Sequence, residues 1–376
     1  MKIAILADPI DNQRGGVHVY TRELITALVE QDQANEYILV REKATPAIPG
    51  TQSLVVPNYR FGLVFAAFRM LFIIPFLLRR HKVDVVLEPA HFGPFNLPRR
   101  VHRVTVIHDL TPLLFPQYHL WHSQLLQRLF LKGILKRASL VITNSRHTQK
   151  DVLAHFPFLK GRVIAAHLGA NPDLAPVEDR SWLDRQGIEA PYWLTVGTIE
   201  PRKNLVRLLD AYQQYRQEGG EALLVVAGQR GWKSEAFFGA LSQHPYRQDI
   251  RLTGFVPDEA LPQLYSHALA MIYPSEYEGF GLPVLEAMCC SCPVICSSVS
   301  SLPEVGGEVA YYVDYQQPAS IAQQMHAVAR LDDQGRAQLK RRAVRWAAQF
   351  TWKAHADACR EAFQKLAVKQ PQSGNV

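Results

Sequence analysis

Two glutamates separated by seven residues, with two glycines and a proline between them, could hold a phosphorylated ligand by its hydroxyls and its phosphates. The segment is Glu278-Gly279-Phe280-Gly281-Leu282-Pro283-Val284-Leu285-Glu286. Glycine lets backbone amides approach a ligand closely, and proline fits the first turn of a helix. A helix N-terminus attracts phosphate through unpaired N–H groups and a partial positive charge. Carboxylates on either side of a diphosphate could bind flanking hydroxyls, so the segment predicts a site for a sugar nucleotide.

Two adjacent cations, Arg202 and Lys203, lie in a second loop that follows a predicted strand and precedes a predicted helix. The start of a helix is electrostatically unfavourable for cations, which favours a function over a role as surface charges. Arginine can bind phosphate in a bidentate manner, and lysine acts as a point charge. The pair therefore predicts neutralisation of a departing nucleoside diphosphate.

Two further pairs of residues lie in the first half of the chain. His108 and Asp109 end the apolar run 104–107, and the carboxyl ends of strands line the ligand crevice of open α/β sheets. Asp109 could instead cap a helix or form a turn. Gly15 and Gly16 precede a helical run and would let a helix N-terminus face a diphosphate, or form a plain turn. The spacing does not match G-x-G-x-x-G, so a dehydrogenase is disfavoured.

These motifs resemble, in order and interval, those of the retaining glycosyltransferases of family 4, which have the GT-B fold. The segment 278–286 resembles the E-x7-E motif of that family, and residues 196–204 resemble its donor-diphosphate loop. The resemblance covers nearly the whole chain. It implies two Rossmann-like domains that face a cleft, retention of anomeric configuration, and a last helix that crosses back to the first domain.

The resemblance also implies roles for single residues. Glu278 would contact the donor hexose and Glu286 the ribose hydroxyls, while backbone amides meet the phosphates. The residues expected to act in catalysis are His108, Glu278, Arg202 and Lys203. The residues expected to bind the donor are Gly16, Arg202, Lys203, Glu278, Phe280, Gly281, Leu282 and Glu286. The residues expected on the acceptor side are Asp109 and Gly15.

The loop 198–204 looks most like that of mannosyltransferases of bacterial O-antigen and exopolysaccharide assembly. This likeness implies GDP-mannose as donor, with a UDP-hexose as the alternative, and a lipid-linked or saccharide acceptor. Two rival functions remain: a sugar-nucleotide epimerase of the same fold, and a non-catalytic membrane-bound scaffold. The intact residues Glu278, Glu286, Arg202 and Lys203 argue against the scaffold.

We expect no metal and no cofactor beyond the nucleotide-sugar substrate. The chain has no Asp-x-Asp for a metal-bound diphosphate. Four cysteines, at positions 289, 290, 292 and 296, lack the paired C-x2-C spacing of zinc sites, so buried free cysteines are predicted there.

The elements that must position these residues alternate between strands and helices in two rounds, which predicts two parallel sheets with helices on both faces. A length of 376 residues also suggests two domains. We predict domains at 1–172 and 173–350, with the returning helix and tail at 351–376. Predicted strands are 3–7, 37–40, 83–87, 103–107, 140–143, 163–166, 192–196, 222–227, 250–252, 270–273 and 294–296. Predicted helices are 17–31, 122–136, 146–155, 205–217, 258–267 and 283–289.

Charge is distributed unevenly along the chain. Residues 1–170 hold 21 Lys and Arg against 11 Asp and Glu, a net charge of +10, whereas residues 171–376 have a net charge of −3. Such a basic half predicts an anionic partner, unless the charges are only scattered and solvated. Together with the resemblance, this predicts peripheral association with an anionic membrane surface and no nucleic-acid partner. The N-terminus reads as a strand without a basic leader, which favours the cytoplasm.

The run 61–78 is apolar except for Gly62, Arg69 and Pro75, and four polar residues follow it at 79–82. A central arginine and a proline argue against a membrane-spanning helix. Two interpretations remain open. The run could form a buried helix that leads into the strand 83–87, or it could lie partly in the membrane interface with its basic end on lipid phosphates.

Overall fold

The computed structural model describes residues 1–12, 15–43, 47–57, 62–90, 93–94, 96–118, 127–189 and 191–368. The chain divides into two compact units. The first unit comprises Met1–Gly169 and the C-terminal segment from Thr351, and the second comprises Ala170–Phe350.

The first unit is built on a parallel sheet with the strand order β3-β2-β1-β4-β5-β6-β7, seven strands among the described residues. The strands are β1 Lys2–Leu6, β2 Glu36–Arg41, β3 Thr51–Val55, β4 Val85–Glu88, β5 His102–Ile107, β6 Leu140–Thr143 and β7 Val163–Ala165. Every residue of β4 and β6 is buried, as expected for central strands of a parallel sheet that is covered on both faces.

The second unit repeats this arrangement with the strand order β10-β9-β8-β11-β12-β13, six parallel strands within the described ranges. The strands are β8 Tyr192–Val196, β9 Leu223–Ala227, β10 Ile250–Gly254, β11 Ala270–Tyr273, β12 Val294–Ser297 and β13 Tyr311–Val313. In both sheets the order reverses beside the first strand, between β1 and β4 and between β8 and β11. The carboxyl ends of these strands form the topological switch points at which open α/β sheets bind ligands.

Helices connect the strands and cover the sheets. In the first unit the helices are Asp8–Asn12, Gly15–Gln31, Gly62–Phe68, Ile74–Arg80, Thr111–Leu114, Lys132–Arg137, Arg146–His155 and Trp352–Val368, with π-helical turns at Arg69–Ile73 and Gln127–Leu131. In the second unit they are Ser181–Arg185, Leu205–Gln217, Glu235–Ser242, Leu261–Ser266, Leu282–Cys289, Leu302–Gly306, Pro318–Ala329 and Asp333–Ala347. Among the described residues, no helix has both the length and the apolar character needed to cross a membrane.

The predicted fold class, two Rossmann-like parallel-sheet domains, is confirmed. The strands β3 and β13 were not predicted, and each lies at an edge of its sheet. The predicted helix 258–267 is a 3-10 turn, Asp258–Ala260, followed by the helix Leu261–Ser266. Of the predicted helix 122–136, residues 122–126 lie outside the described residues.

The C-terminal helix Trp352–Val368 packs against the helix Gly15–Gln31 of the first unit. Lys353 Nζ donates to Gln31 Oε1 (3.2 Å), and Arg360 Nη1 donates to the Gln31 carbonyl (2.9 Å). Phe363 is fully buried on the inner side of this helix. These contacts fix the last helix to the unit that contains the N-terminal strand.

Candidate active site

The loop after β8 carries Arg202 and Lys203 and is fixed across the switch point of the second sheet. Asn204 adopts a left-handed conformation (φ 57°), and its Nδ2 donates to the carbonyls of Pro274 (3.2 Å) and Tyr315 (2.7 Å). The N–H of Glu276 donates to the Arg202 carbonyl (2.9 Å). The loops after β8 and β11 are therefore held together at the carboxyl ends of neighbouring strands.

The guanidinium of Arg202 is held from two sides by acceptors. Its Nη1 lies 2.7 Å from Glu278 Oε2 and donates to the Tyr277 carbonyl (2.7 Å). Its Nη2 lies 2.5 Å from Glu200 Oε1. The planar donor fork is thus fixed before any ligand arrives.

The ammonium of Lys203 binds the other oxygen of the same carboxylate. Its Nζ lies 2.8 Å from Glu278 Oε1, donates to the Tyr273 hydroxyl and sits 4.6 Å from the centroid of the Tyr273 ring. A Cβ on Gly197, at the end of β8, would lie 3.5 Å from Lys203 Cε. Gly197 (φ 140°) therefore serves chiefly to turn the backbone beside the lysine.

Glu278 is buried between these two cations, and its backbone is fixed as well. Its N–H donates to Ser300 Oγ (3.0 Å), and its carbonyl accepts from Ser301 Oγ (2.8 Å). Burial alone would raise the pKa of Glu278, but Lys203 and Arg202 outweigh that effect and lower the pKa to about 2. The carboxylate is consequently ionised throughout the physiological pH range.

Two carboxylates and two cations form one compact network, which we call the ion cluster: Glu200, Arg202, Lys203 and Glu278. Sequence reasoning assigned the cations to phosphate and Glu278 to the sugar, but in this structure the cations bind the carboxylate directly. Glu200 was not predicted, although its position two residues before Arg202 in the same loop was an available signal.

The helix Leu282–Cys289 begins immediately after the ion cluster and has an open N-terminus. No side chain caps it, and its N-cap residue, Gly281, has a left-handed conformation (φ 101°). A Cβ on Gly281 would lie 2.6 Å from Leu302 Cδ2, so the position favours glycine both sterically and conformationally. Among the described residues, the amides of Gly281 and Leu282 donate to no acceptor. Such a helix start suits an oxyanion.

Phe280 precedes this helix start and Glu286 lies within the helix, and their side chains have different surroundings. The Phe280 side chain is buried with its ring centroid 6.1 Å from that of Phe350, so its backbone alone could serve a ligand. Glu286 accepts a hydrogen bond from the Tyr265 hydroxyl (3.0 Å) and pairs with no cation within the described part of the chain. Burial raises the pKa of Glu286 and outweighs the opposite effect of Tyr265.

In the first unit, His108 follows β5 and is pinned at one ring nitrogen. Its Nε2 lies 2.7 Å from the Pro89 carbonyl, which assigns the proton to Nε2. Burial lowers the pKa of His108, so the ring is neutral at pH 7. Its Nδ1 has no hydrogen-bond partner in the described residues and is left as an acceptor.

A buried aromatic network that sequence reasoning missed supports His108. The ring of Tyr20 meets the His108 ring edge-on, with centroids 4.7 Å apart. The Tyr20 hydroxyl lies 3.1 Å from His355 Nε2, and His355 Nδ1 lies 3.1 Å from the carbonyls of Ala166 and His167. These carbonyls assign the His355 proton to Nδ1, so Tyr20 donates to Nε2. The C-terminal helix thereby fixes the neighbour of a predicted catalytic residue.

The remaining predicted residues have local roles in this structure. Asp109 Oδ1 accepts hydrogen bonds from the Thr111 amide (2.9 Å) and hydroxyl (2.6 Å), which is the turn role left open above. The helix Gly15–Gln31 begins at the predicted glycine pair, but a Cβ on Gly16 would meet nothing within 4 Å. Steric fit therefore does not require glycine at position 16.

None of the cysteines in the cluster 289–296 forms a disulfide. Cys290, Cys292 and Cys296 are buried free thiols, and burial raises the pKa of each above its ordinary value. Among the described residues, no group of three or more His, Cys, Asp or Glu side chains is arranged to hold a metal ion.

Comparison with known proteins matches each unit to a family. The sequence model of "Glycosyltransferase Family 4" matches residues 14–174, and that of "Glycosyl transferases group 1" matches residues 182–346. The O-antigen chain mannosyltransferase B of Escherichia coli is 32% identical over 94% of this chain and 96% of its own length. The serotype-specific mannosyltransferase WbdA of Escherichia coli is 29% identical over 67% of this chain, which is 32% of that protein.

Solved structures with the same fold cover nearly the whole chain. Sucrose-phosphate synthase from Thermosynechococcus elongatus superposes with a TM-score of 0.77 at 20% identity and covers 98% of this chain and all of that one. Alr3699/HepE of Anabaena, solved with UDP and glucose, superposes with a TM-score of 0.74 at 17% identity over 97% of this chain and all of that one. At these identities the likeness shows the fold.

Proposed function

The chain belongs to the glycosyl transferases group 1, with a family 4 N-terminal unit, and we propose that it transfers mannose from GDP-mannose, with retention of configuration, during assembly of a cell-surface polysaccharide. The acceptor would be a lipid-linked or free saccharide. The donor sugar and the pathway are supported by the O-antigen chain mannosyltransferase that is 32% identical over nearly the full length.

The observation that carries the proposal is the ion cluster beside an open helix N-terminus. The two cations and the amides of Gly281 and Leu282 belong to adjoining loops at one switch point, and together they offer donors for both phosphates of a nucleoside diphosphate. Preorganised donors of this kind stabilise charge that develops on a leaving group. The arrangement thus favours a reaction in which a nucleoside diphosphate departs.

In the proposed reaction the bond between the anomeric carbon and the diphosphate oxygen breaks, and the bond to the acceptor oxygen forms on the same face of the sugar. The acceptor proton passes to an oxygen of the departing phosphate. Arg202 and Lys203 neutralise the charge on that phosphate, so the step needs no metal ion. Glu278, once its cations bind phosphate, becomes free to accept hydrogen bonds from the hexose.

His108 would act as a neutral hydrogen-bond acceptor in the first unit. Because its Nε2 proton is committed to Pro89, only Nδ1 remains to receive a hydroxyl of the hexose or of the acceptor. A cavity of about 340 Å³ lies at the carboxyl ends of β1 and β4 in the same unit, and Asp8 and Asn12 contribute polar groups to its wall. We propose this cavity as the site for the acceptor saccharide.

The test is ligand binding followed by transfer. Thermal shifts would be measured with GDP, UDP and ADP and with their hexose conjugates, because a ligand at about 100 times its dissociation constant adds roughly 2.7 kcal/mol of stability. GDP and GDP-mannose should give the largest shifts, and transfer to a saccharide should yield the α-anomer by NMR. A larger thermal shift with UDP would indicate a UDP-hexose as the donor in place of GDP-mannose. Conversion of the donor without an acceptor would indicate an epimerase, and the absence of any thermal shift would refute the proposal.

A further inference from the structure

The helical segment between β3 and β4 has one buried and one exposed face, although its sequence is apolar all round. Ile74 and Leu78 are fully buried in the core of the first sheet. On the outer face, Phe68, Phe72 and Phe76 are 50%, 55% and 64% exposed. We call these three residues the phenylalanine ridge. One face of the segment is exposed, so the interpretation as a wholly buried helix is wrong, and the interfacial interpretation stays a prediction.

Arg69, the only charge within the run, fixes which face points outward. Its side chain is buried, with Nη1 and Nη2 at 2.7 and 2.9 Å from the two oxygens of Asp8 and Nε donating to the Val56 carbonyl (2.8 Å). A bidentate arginine–carboxylate pair is both strong and directional. Rotation that buried the phenylalanine ridge would break this pair and expose Ile74 and Leu78.

The residues of the phenylalanine ridge lie along one face of the segment. They are spaced by four, slightly more than one helical turn. The rings of Phe68 and Phe72 lie 5.2 Å apart between centroids. Isolated exposed apolar residues are common, but an aligned set of large ones marks an interaction surface.

Charge around the phenylalanine ridge complements an anionic lipid surface. Arg79 and Arg80, in the last turn of the same segment, are exposed, and Lys82 follows them. No aspartate or glutamate occurs between residues 61 and 83. An amphipathic helix with aromatic side chains and flanking cations is suited to the boundary between lipid headgroups and acyl chains. A second copy of this basic unit would be repelled by the same charges.

We propose that the phenylalanine ridge inserts into the interface of an anionic membrane while Arg79 and Arg80 contact lipid phosphates. This inference deepens the proposed function and rests on it for the identity of the acceptor. Met70, on the same segment, lines the cavity assigned to the acceptor, and so does Asp8, the partner of Arg69. The segment therefore joins a lipid-facing surface to the acceptor cavity, as a lipid-linked substrate requires.

The experiment is cosedimentation of the full chain with vesicles of phosphatidylcholine alone or with phosphatidylglycerol, at low and high salt. The wild type should bind the vesicles that contain phosphatidylglycerol, and salt should release most of it. The triple variant F68S/F72S/F76S should partition at least roughly tenfold more weakly, because three exposed rings lose their apolar contact with lipid. The variant R79S/R80S should lose preference for the anionic vesicles.

The matched control is Phe255→Ser, which removes an exposed phenylalanine (66% exposed) from the second unit and should bind vesicles as the wild type does. All variants should keep the wild-type thermal shift with GDP, which separates this inference from the proposed function. If the wild type bound vesicles but not GDP, only the proposed function would be refuted. The membrane proposal would be refuted if the triple variant bound vesicles as well as the wild type does. It would also be refuted if the wild type formed a dimer that the triple variant does not form.

Discussion

Replacing Glu278 by glutamine tests the ion cluster most directly, because one carboxylate neutralises two cations there. Arg202 Nη1 and Lys203 Nζ lie 2.7 and 2.8 Å from its two oxygens. Glutamine has nearly the same shape but carries no charge and presents two donors in place of one acceptor oxygen. In the variant, Glu200 would be the only carboxylate left in the ion cluster.

The magnitude follows from the pKa of Glu278. Its fall from 4.5 to about 2 corresponds to roughly 3 kcal/mol of preference for the charged form in the folded protein. Removing one partner of a buried ion pair typically costs about 3–5 kcal/mol. We therefore expect Glu278→Gln to lower the free energy of unfolding at pH 7 by about 3 kcal/mol.

The same substitution should act in the opposite direction on diphosphate binding. With their counter-charge removed, Arg202 and Lys203 gain more from phosphate, so GDP should bind Glu278→Gln at least as tightly as the wild type. Transfer should nevertheless fall by about a hundredfold or more, as when other preorganised polar contacts are lost. The variant should therefore unfold more easily and yet bind GDP at least as tightly as the wild type, a combination that a general loss of structure could not produce.

The assays are urea unfolding, calorimetric titration with GDP, and transfer from GDP-mannose. Glu235→Gln is the matched control, since this glutamate of the same unit is 76% exposed and should change none of the three. In the wild type the contribution of Glu278 is present above pH 4.5 and is lost as the pH falls toward 2, so the difference between the two proteins should shrink below pH 4.5. Unchanged stability together with weaker GDP binding would refute the assignment of Glu278 as the counter-ion.

Three further expectations follow from the described contacts. Arg202→Ala and Lys203→Ala should each weaken GDP binding by about 1.5–3 kcal/mol and leave guanosine binding unchanged in calorimetry; equal losses for both ligands would exclude phosphate contact. Transfer should survive EDTA, and abolition with rescue by Mg²⁺ or Mn²⁺ would contradict charge neutralisation by the cation pair. Burial lowers the pKa of His355 to about 4, so the protein should lose up to about 3 kcal/mol of unfolding free energy through this residue as the pH falls from 6.5 toward 4. In urea unfolding, the stability of His355→Gln should therefore depend less on pH over this range, and an unchanged pH dependence would contradict this expectation.

Nine of the eleven strands that sequence reasoning located lie in the interior of a sheet, and the other two, β7 and β10, are edge strands. Interior strands such as β4 and β6 are buried on both faces, and each begins with three consecutive apolar residues. The two missed strands are edge strands with weaker patterns. β3 begins with three consecutive polar residues and is largely exposed, and β13 has only three residues. An edge strand depends on pairing with its neighbour, and local sequence does not encode that pairing.

Sequence reasoning also named Arg202, Lys203 and Glu278 at the second switch point, but it did not predict the ion pairs between them. The ion cluster joins residues about 75 positions apart, and the hydrogen bond from Tyr20 to His355 spans 335 positions. Motif spacing shows that such groups lie at strand ends, but it does not show which acceptor a cation binds. Arg69 is a second example: its charge argued against a membrane span, but its pairing with Asp8, 61 positions away, is a tertiary contact that local sequence does not encode.

The balanced charge of the ion cluster bears on how a donor is recognised. Two cations whose side chains are largely withdrawn from solvent would be costly without counter-ions, and Glu200 and Glu278 remove that cost. A diphosphate brings its own negative charge, so at least one of the two carboxylates must give up its cation when the diphosphate binds. Within the described part of the chain, the Glu200 carboxylate pairs with Arg202, whereas that of Glu278 bridges both cations. Glu278 also lies next to the open helix N-terminus, so it has more to gain from a new partner. The hexose of a nucleotide sugar offers hydroxyls next to the terminal phosphate, and a nucleoside diphosphate without the hexose has none at that position. The sugar should therefore add to affinity through Glu278, and the difference in affinity between GDP-mannose and GDP should vanish in Glu278→Gln.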